Sequence, residues 1–251
     1  MELGLTSVTF RGEEYETVLD YCVKSGLSCI EWGSDIHVPE TDHDKARAVK
    51  KSSDKAGIRI CSYGSYYNLC VNENCEEAFL PYLETAVILG APIIRLWAGK
   101  VGSDVASEEY YAHAVAETQK LCDMAAKYNI TLAFEYHRNS LSDTADSAIR
   151  IYKDINRENF GLYYQQSLQC SLEENIASLE KMLPYIKMVH VFYYENKMRM
   201  SLGDGEGIAF WTRIIGLIRE RQIHTDLLFE FLKDASPEGL KCETGILEKI
   251  I

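Results

Sequence analysis

The sequence predicts an α/β protein that folds as a single (β/α)8 TIM barrel over residues 1–251. Short runs rich in β-branched and aromatic residues alternate about eight times with longer amphipathic stretches, which is typical of a parallel sheet whose strands are joined by helices. No stretch rich in proline, serine and glycine divides the chain, and α/β barrels commonly fill this length as one domain. A doubly wound open sheet is the second candidate, but the turn after the first strand lacks the expected G-x-G-x-x-G pattern.

Each predicted strand is a short apolar run that ends in glycine or in polar residues. Such near-continuous apolar runs are expected for parallel strands that are covered on both faces. The predicted strands are residues 3–10, 29–33, 58–64, 93–99, 131–137, 160–166, 186–194 and 226–231.

The stretch between the first two strands shows the periodicity of a helix. Tyr15, Val18, Leu19 and Cys22 recur at helical spacing, and Gly26 follows as a stop signal. The pattern therefore predicts one amphipathic helix between these strands.

Capping residues mark the starts of three later helices. Ser171 with Glu174 three residues on is a capping box, and Ser236 before Pro237 is an N-cap followed by proline at the first helical position. Ser107 is the N-cap of the third. Helices are accordingly predicted over 107–128 and after residues 171 and 236, with a further helix over 208–221.

The composition excludes several classes of protein. With 47% hydrophobic residues the chain can bury a substantial core, and 26 basic against 38 acidic residues give a net charge of −12. An acidic surface repels phosphate backbones, so nucleic acid is not an expected partner. No apolar run approaches the roughly 20 residues of a membrane span, and the first residues lack a signal-peptide pattern. A cytoplasmic protein is expected.

The eight cysteines are scattered and form no C-x-x-C pair. This spacing argues against a zinc ribbon and against a thioredoxin-like redox motif. Cys70 and Cys75 are close enough to form a small disulfide loop, but free thiols in a reducing cytosol are the favoured interpretation.

Ionisable residues end three of the later strands. Glu135, His190 and Glu230 follow apolar residues in "LAFEYH", "KMVHVF" and "LLFEF". A carboxylate inside a strand costs several kcal/mol unless its charge is compensated. In a barrel these strand ends meet at one face, where active sites lie. Internal salt bridges are one interpretation, and a divalent metal site is the favoured one, since carboxylates and an imidazole form a suitable ligand set.

The chain resembles the xylose isomerase-like TIM barrel superfamily, in the branch of sugar phosphate isomerases and epimerases that includes D-tagatose/D-psicose 3-epimerases and inosose-type enzymes. The resemblance rests on "GLSCIEWGSDIHVP", "LAFEYH", "MVHVFYY…LGDGEGIAFW" and "LLFEF". It implies one divalent metal ion, Mn, Mg, Zn or Co, held by Glu, Asp, His and Glu on strands five to eight. These positions match Glu135, Gln165, His190 and Glu230.

Gln165 is a departure from the family pattern, which has Asp at the end of the sixth strand. A glutamine oxygen can coordinate a hard cation but brings no charge, so weaker metal binding is expected. Because side chains alternate along a strand, Gln165 is expected to face the barrel axis and Gln166 the loops or the helix layer.

The resemblance implies an isomerase that moves a proton next to a carbonyl group. Glu135 and Glu230 would be both metal ligands and acid/base groups, while the metal stabilises the enediolate. His137 shares the inward face with Glu135, and Arg199 lies in a loop after the seventh strand. The residues expected to bind substrate are His137, Arg199, His37, Glu31, Trp97 and Trp32.

Other functions remain open on the same barrel. A dehydratase or lyase would use a similar site, whereas a DNA-repair endonuclease would need more His and Asp ligands and a basic groove. A non-catalytic carbohydrate-binding barrel is indicated only by Gln165, and Glu135, His190 and Glu230 argue against it. The expected partner is a small sugar or polyol, free or phosphorylated, with no nucleic acid and no membrane; a homodimer is compatible with the sequence.

Overall fold

Eight parallel strands close into a barrel in the computed structural model, which describes residues 1–251. The barrel strands are β1 (Leu3–Thr6), β2 (Cys29–Gly33), β3 (Arg59–Asn68), β4 (Ile93–Trp97), β5 (Thr131–Glu135), β6 (Phe160–Tyr164), β7 (Ile186–Val191) and β10 (Asp226–Phe229), while β8 (Tyr193–Glu195) and β9 (Met198–Met200) form a separate two-stranded sheet. Around the barrel β1 to β7 follow one another, and β10 lies between β7 and β1. The predicted (β/α)8 TIM barrel is confirmed.

Eight helices follow the barrel strands and cover the outside of the barrel. They are α1 (Tyr15–Lys24), α2 (His43–Ala56), α3 (Cys75–Leu89), α4 (Glu108–Ala126), α5 (Ala145–Ile155), α6 (Leu172–Met182), α7 (Gly207–Glu220) and α8 (Pro237–Glu248). The predicted caps are present: Ser107, Ser171 and Ser236 each accept a hydrogen bond from a backbone N–H in the first turn. Ser171 and Glu174 form the capping box. No helix is both long and apolar enough to cross a membrane.

Six of the eight predicted strands extend past the end of the observed strand, and two of these, the first and the seventh, run into other elements. Residues 7–10 form a short 3-10 turn instead of continuing β1. After Val191 the chain leaves the barrel, and β8 pairs with β9 as an antiparallel hairpin. The apolar run "VFYY" does not show where β7 ends and β8 begins, because the first residue of each strand is buried.

The barrel interior is arranged in two layers. The lower layer is an apolar cluster whose buried members are Cys29, Cys61, Ala133, Tyr163, Met188 and Leu228, with Ile93 packed against it. Side chains two residues apart on a strand share a face, so the next inward positions form a layer above it. That layer is polar and consists of Glu31, Arg95, Glu135, Gln165, His190 and Glu230. Between strands and helices lies a larger core cluster of 60 buried residues.

Candidate active site

The polar layer lies at the carboxyl ends of the strands, the face that carries active sites in barrels of this architecture. All six of its side chains are buried; even the most exposed, Gln165, is only 8% accessible. Buried ionisable groups are costly unless they are paired, so their mutual contacts decide what the site can do.

Arg95 on β4 lies between the carboxylates of Glu31 on β2 and Glu135 on β5. Its Nε donates to Glu31 Oε1 at 3.0 Å, and its Nη1 donates to Glu135 Oε2. Glu31 Oε2 also accepts from Ser62 Oγ at 2.7 Å, and Glu135 Oε2 accepts from Trp97 Nε1 at 2.5 Å. Arg95 therefore compensates two buried negative charges and orients both carboxyl groups.

His190 is the centre of a second group of contacts. Its Nδ1 lies 3.1 Å from Gln165 Oε1 and 3.3 Å from Glu230 Oε2. Its Nε2 lies 3.9 Å from Glu31 Oε1. Glu230 Oε2 and His190 Nε2 are nevertheless buried without a hydrogen-bond partner. These two atoms are available to a ligand that the side chains themselves do not supply.

Charge interactions shift the pKa values in this layer. Burial raises the pKa of the Glu135 carboxyl, but Arg95, followed by His190 and His137, outweighs burial and lowers this pKa to about 2. Burial lowers the pKa of His190, but the carboxylates of Glu230, Glu31 and Glu135 outweigh it, so the net shift is upward. Glu135 is thus ionised at neutral pH.

A cavity of about 320 Å³ opens above this layer. Its volume falls at the low end of the range for small-molecule sites. Trp97 and His137, two of the residues predicted to bind substrate, lie in its wall with their rings stacked 5.5 Å apart. Tyr66 faces the same space and has a φ of +55°, which is rare for a bulky residue and is found mainly at functional sites.

The two adjacent glutamines after β6 have different contacts. Gln165 contacts His190, whereas the Gln166 amide pairs with the backbone of Tyr194, donating to its carbonyl at 2.8 Å and accepting from its N–H at 2.9 Å. Gln166 therefore connects the end of β6 to the β8–β9 hairpin. This arrangement agrees with the strand alternation expected from the sequence.

Two residues predicted to bind substrate lie elsewhere. Trp32 is fully buried among the helix-facing side chains, and its Nε1 donates to Ser53 Oγ of α2 at 3.3 Å. His37 is buried too, and its ring nitrogens lie 3.1 Å from Ser7 Oγ and 3.1 Å from the Glu13 carbonyl. Neither residue lines the cavity: alternation along β2 turns Trp32 away from the face of Glu31, and local hydrogen bonds use both nitrogens of His37.

Arg199 lies on β9, at the rim of the cavity. Its Nε donates to Tyr194 Oη at 2.9 Å, and its guanidinium lies 5.2 Å from the centre of the Phe231 ring. Tyr194 and Phe231 both line the cavity. Glu31, expected just after the second strand, is within β2 and lies beneath the cavity through its contact with Arg95.

Three arginines of the site were not predicted. Arg95, Arg11 and Arg138 all line the cavity. Arg95 could have been found, since it interrupts the apolar run "IIRLW" of β4 and a charge buried in a strand needs a partner. Arg11 and Arg138 lie in connecting segments, where the sequence carries no comparable signal.

The donors of the polar layer suit a divalent metal ion. Glu135, His190 and Glu230 offer ligand atoms that all lie within 4.8 Å of one another, and Gln165 Oε1 is beside His190. The unpartnered Glu230 Oε2 and His190 Nε2 also fit a site that is completed by a bound group. The residues present therefore fit a metal ion, with one neutral amide among the oxygen donors.

The protein is a closed barrel with a buried carboxylate–imidazole cluster at the carboxyl ends of its strands. The chain belongs to the Xylose isomerase-like TIM barrel family, whose model matches residues 19–246. Membership agrees with the family resemblance of the sequence.

Individual relatives are distant and cover nearly the whole chain. A 3-dehydroshikimate dehydratase of Bacillus anthracis is 20% identical over 98% of this chain and 96% of its own length. The crystal structure of a D-allulose 3-epimerase from Methylomonas sp. is similar with a TM-score of 0.78 at 14% identity, covering 100% of this chain and 98% of that one. The IOLI protein, solved with a bound zinc atom, is similar with a TM-score of 0.78 at 18% identity, covering 100% of this chain and 96% of that one.

Proposed function

We propose that this chain is an isomerase or epimerase that moves a proton next to the carbonyl group of a small sugar or polyol derivative, with one divalent metal ion bound in the polar layer. The observation that carries the proposal is the convergence of Glu135, His190 and Glu230 within 4.8 Å at the floor of the cavity. Carboxylates so placed can take up and return a proton, and they suit a cation.

The metal would be held by Glu135, Gln165, His190 and Glu230. When bound, a divalent ion polarises a carbonyl oxygen and stabilises negative charge that develops on it. Mn²⁺, Mg²⁺, Zn²⁺ and Co²⁺ are the candidates, and the neutral Gln165 weakens the affinity for all of them relative to a carboxylate.

The two carboxylates of the site have different environments. Glu135 Oε2 already accepts from Arg95 and Trp97, which hold this group in one orientation. Glu230 Oε2 lies 3.3 Å from His190 Nδ1 but accepts no hydrogen bond, so it is more available than Glu135 to receive a proton from a substrate carbon. Glu230 is the proposed base, and Glu135 is the proposed second acid/base group.

The position to which the proton returns distinguishes isomerisation from epimerisation. Removal of the proton next to the carbonyl leaves an enediolate whose charge the site must stabilise. Return of the proton to the former carbonyl carbon, with transfer of the hydroxyl proton from the neighbouring oxygen to the former carbonyl oxygen, gives the aldose–ketose isomer. Return of the proton to the opposite face of the carbon that lost it gives the epimer. Both outcomes leave the composition of the substrate unchanged.

The cavity walls would orient the substrate. Trp97 and His137 form a flat, stacked surface suited to the C–H face of a sugar, and His137 can bond a hydroxyl group. Arg199 would contact substrate from the β8–β9 hairpin. These contacts would place the reacting carbon next to Glu230.

Dehydration is the second candidate, because the dehydratase relative matches 98% of this chain. The first step is the same, removal of a proton next to a carbonyl. The reactions then differ, since in dehydration a hydroxyl group on the next carbon leaves as water and the product is lighter by one water molecule.

Proton exchange in deuterated water tests the proposal. The protein, loaded with Mn²⁺, is incubated with a panel of ketoses, aldoses and their phosphates, and deuterium uptake and product mass are followed by NMR and mass spectrometry. We expect a product that carries deuterium at carbon and otherwise has the same atoms as the substrate. A product that is lighter by one water molecule would favour dehydration.

Site variants complete this test. Glu230→Gln is expected to slow exchange by roughly 100-fold or more. Glu243→Gln, which changes another buried carboxyl group outside the cavity, serves as the control and should exchange normally. Absence of exchange and of product with the whole panel would contradict the proposal.

A further inference from the structure

Most arginines of this acidic chain are paired with carboxylates. Those without a carboxylate at ion-pair distance are Arg138, Arg199, Arg213 and Arg219. Arg213 and Arg219 lie on the outer helix α7, whereas Arg138 lines the cavity and Arg199 packs against Phe231 of the cavity wall. With a net charge of −12, unpaired positive charge at this one opening calls for an explanation.

Arg138 lies three residues after the end of β5 and lines the cavity wall with an exposed side chain. Its guanidinium makes no hydrogen bond with any other residue, while its carbonyl lies 2.8 Å from His137 Nδ1. The nearby Asp143 also lines the cavity, but it accepts from the Ser103 N–H at 3.1 Å and forms no ion pair with Arg138. All the donors of this guanidinium are therefore available.

The other cavity arginines have their charges compensated. Arg95 pairs with Glu31 and Glu135. Arg11 pairs with Asp35 at 3.0 Å and donates to Tyr66 Oη at 2.6 Å.

Arg199, which also lacks a carboxylate, is partly engaged. Besides Tyr194, it reaches the Leu232 carbonyl at 3.5 Å. Arg138 is thus the cation of the cavity wall that has no partner of any kind.

Further donors lie on the same wall, in the loop after β6. The hydroxyl of Ser167 accepts from the Gln169 N–H at 3.4 Å and keeps its own proton to donate, and the Gln169 side-chain amide makes no hydrogen bond in the protein. A guanidinium, a hydroxyl and an amide donor around one cavity suit the binding of a carboxylate or phosphate group.

We infer that the substrate carries an anionic group, a carboxylate or a phosphate, that binds Arg138 at the mouth of the cavity while the carbonyl end enters the polar layer. This inference rests on the proposed function only in taking the carbonyl end of the substrate as the end that reacts. It narrows the substrate class from sugars in general to sugar acids and sugar phosphates. An unpaired cation at the opening also raises the local concentration of an anion near an otherwise acidic protein.

Equilibrium binding without turnover tests this inference. Isothermal titration compares D-fructose with D-fructose 6-phosphate and D-glucose with D-glucuronate, so that each pair differs by one anionic group. In the unmodified protein at least one anionic probe should bind about tenfold or more tightly than its neutral partner, as for a charge-assisted hydrogen bond. The phosphate pair and the carboxylate pair separate the two possible sources of the charge.

Arg138→Gln should remove this preference, with about a tenfold loss for the anionic probe and little change for the neutral one. Arg213→Gln removes an unpaired, exposed arginine far from the cavity and should leave all affinities unchanged. The preference should also weaken with added salt.

Three results would overturn the inference: equal binding within both pairs, no measurable binding of either anionic probe at millimolar concentration, or an equal loss for neutral and anionic probes in Arg138→Gln. The proposed reaction can fail separately. A retained anion preference without deuterium exchange would contradict the isomerase proposal and leave the anion site in place.

Discussion

Replacement of Arg95 by methionine would test the charge balance beneath the cavity. Methionine has a similar length and no charge, so the change leaves Glu31 and Glu135 without their shared cation. The side chains of Arg95, Glu31 and Glu135 are only 3%, 2% and 5% exposed, so solvent cannot take over this role.

The expected loss of stability in Arg95→Met follows from the burial of the ion pairs. Removing one partner of a buried ion pair typically costs about 3–5 kcal/mol of unfolding free energy. Ser62 and Trp97 continue to donate to the two carboxylates, which favours the lower end of this range. The loss is large compared with the about 5–15 kcal/mol that stabilises a typical domain.

Arg59 provides a matched control at the opposite end of the barrel. It also contacts two carboxylates, Glu2 and Asp226, but its side chain is 46% exposed. Arg59→Met should therefore cost no more than about 1 kcal/mol. Urea unfolding at neutral pH, followed by circular dichroism, measures both losses.

The triple variant Arg95→Met, Glu31→Gln, Glu135→Gln checks the physical cause. It removes the whole charged group and should regain most of the lost stability, since a neutral replacement leaves no uncompensated charge. Equal, small losses for Arg95→Met and Arg59→Met would refute the reasoning, as would a triple variant less stable than Arg95→Met alone.

Three further predictions concern other parts of the molecule. Gln165→Glu adds a charge without changing size and should tighten Mn²⁺ binding roughly tenfold in titration calorimetry, whereas Gln169→Glu at the rim should not; no difference between them would exclude Gln165 as a ligand. Burial raises the pKa of Glu243, which still accepts from the Leu202 N–H at 2.9 Å. A carboxyl group with a raised pKa favours the folded state when it is protonated at low pH and disfavours it when it is ionised at high pH. Glu243→Gln should therefore raise the thermal midpoint of unfolding at pH 8 but not at pH 4. An equal increase at both pH values would contradict ionisation of Glu243 as the cause. Ser171→Ala removes an N-cap and should cost about 1 kcal/mol in urea unfolding, and an unchanged value would show that the cap contributes nothing.

The family resemblance and the strand ends predicted much of the candidate site. Glu135, His190 and Glu230 were identifiable because charged residues after buried strands must be compensated, and the barrel brings these ends together. Arg95 was missed although its position inside an apolar strand carried the same signal. Its role depends on two partners that are 64 and 40 residues away in the chain.

Trp32 and His37 show why motif proximity is a weak guide. Both follow Glu31 closely in sequence, yet the alternation of β2 and the hydrogen bonds of the next turn place them outside the cavity. The direction of His37, beyond the last strand residue, depends on tertiary contacts, whereas that of Trp32 follows from alternation within β2. Gln166 is a similar case, since its partner Tyr194 lies on β8, 28 residues further along the chain.

The sequence by itself determined the alternation of strands and helices, the helix caps and the residue types at the strand ends, because periodicity and capping are local properties of the chain. Only the tertiary structure decided which charges compensate one another, which atoms of Glu230 and His190 remain without partners, and that Arg138 carries an unpaired charge at the cavity. These properties depend on distances between strands and loops far apart in sequence. Closure of the barrel sets those distances, and with them the electrostatic character of the candidate site.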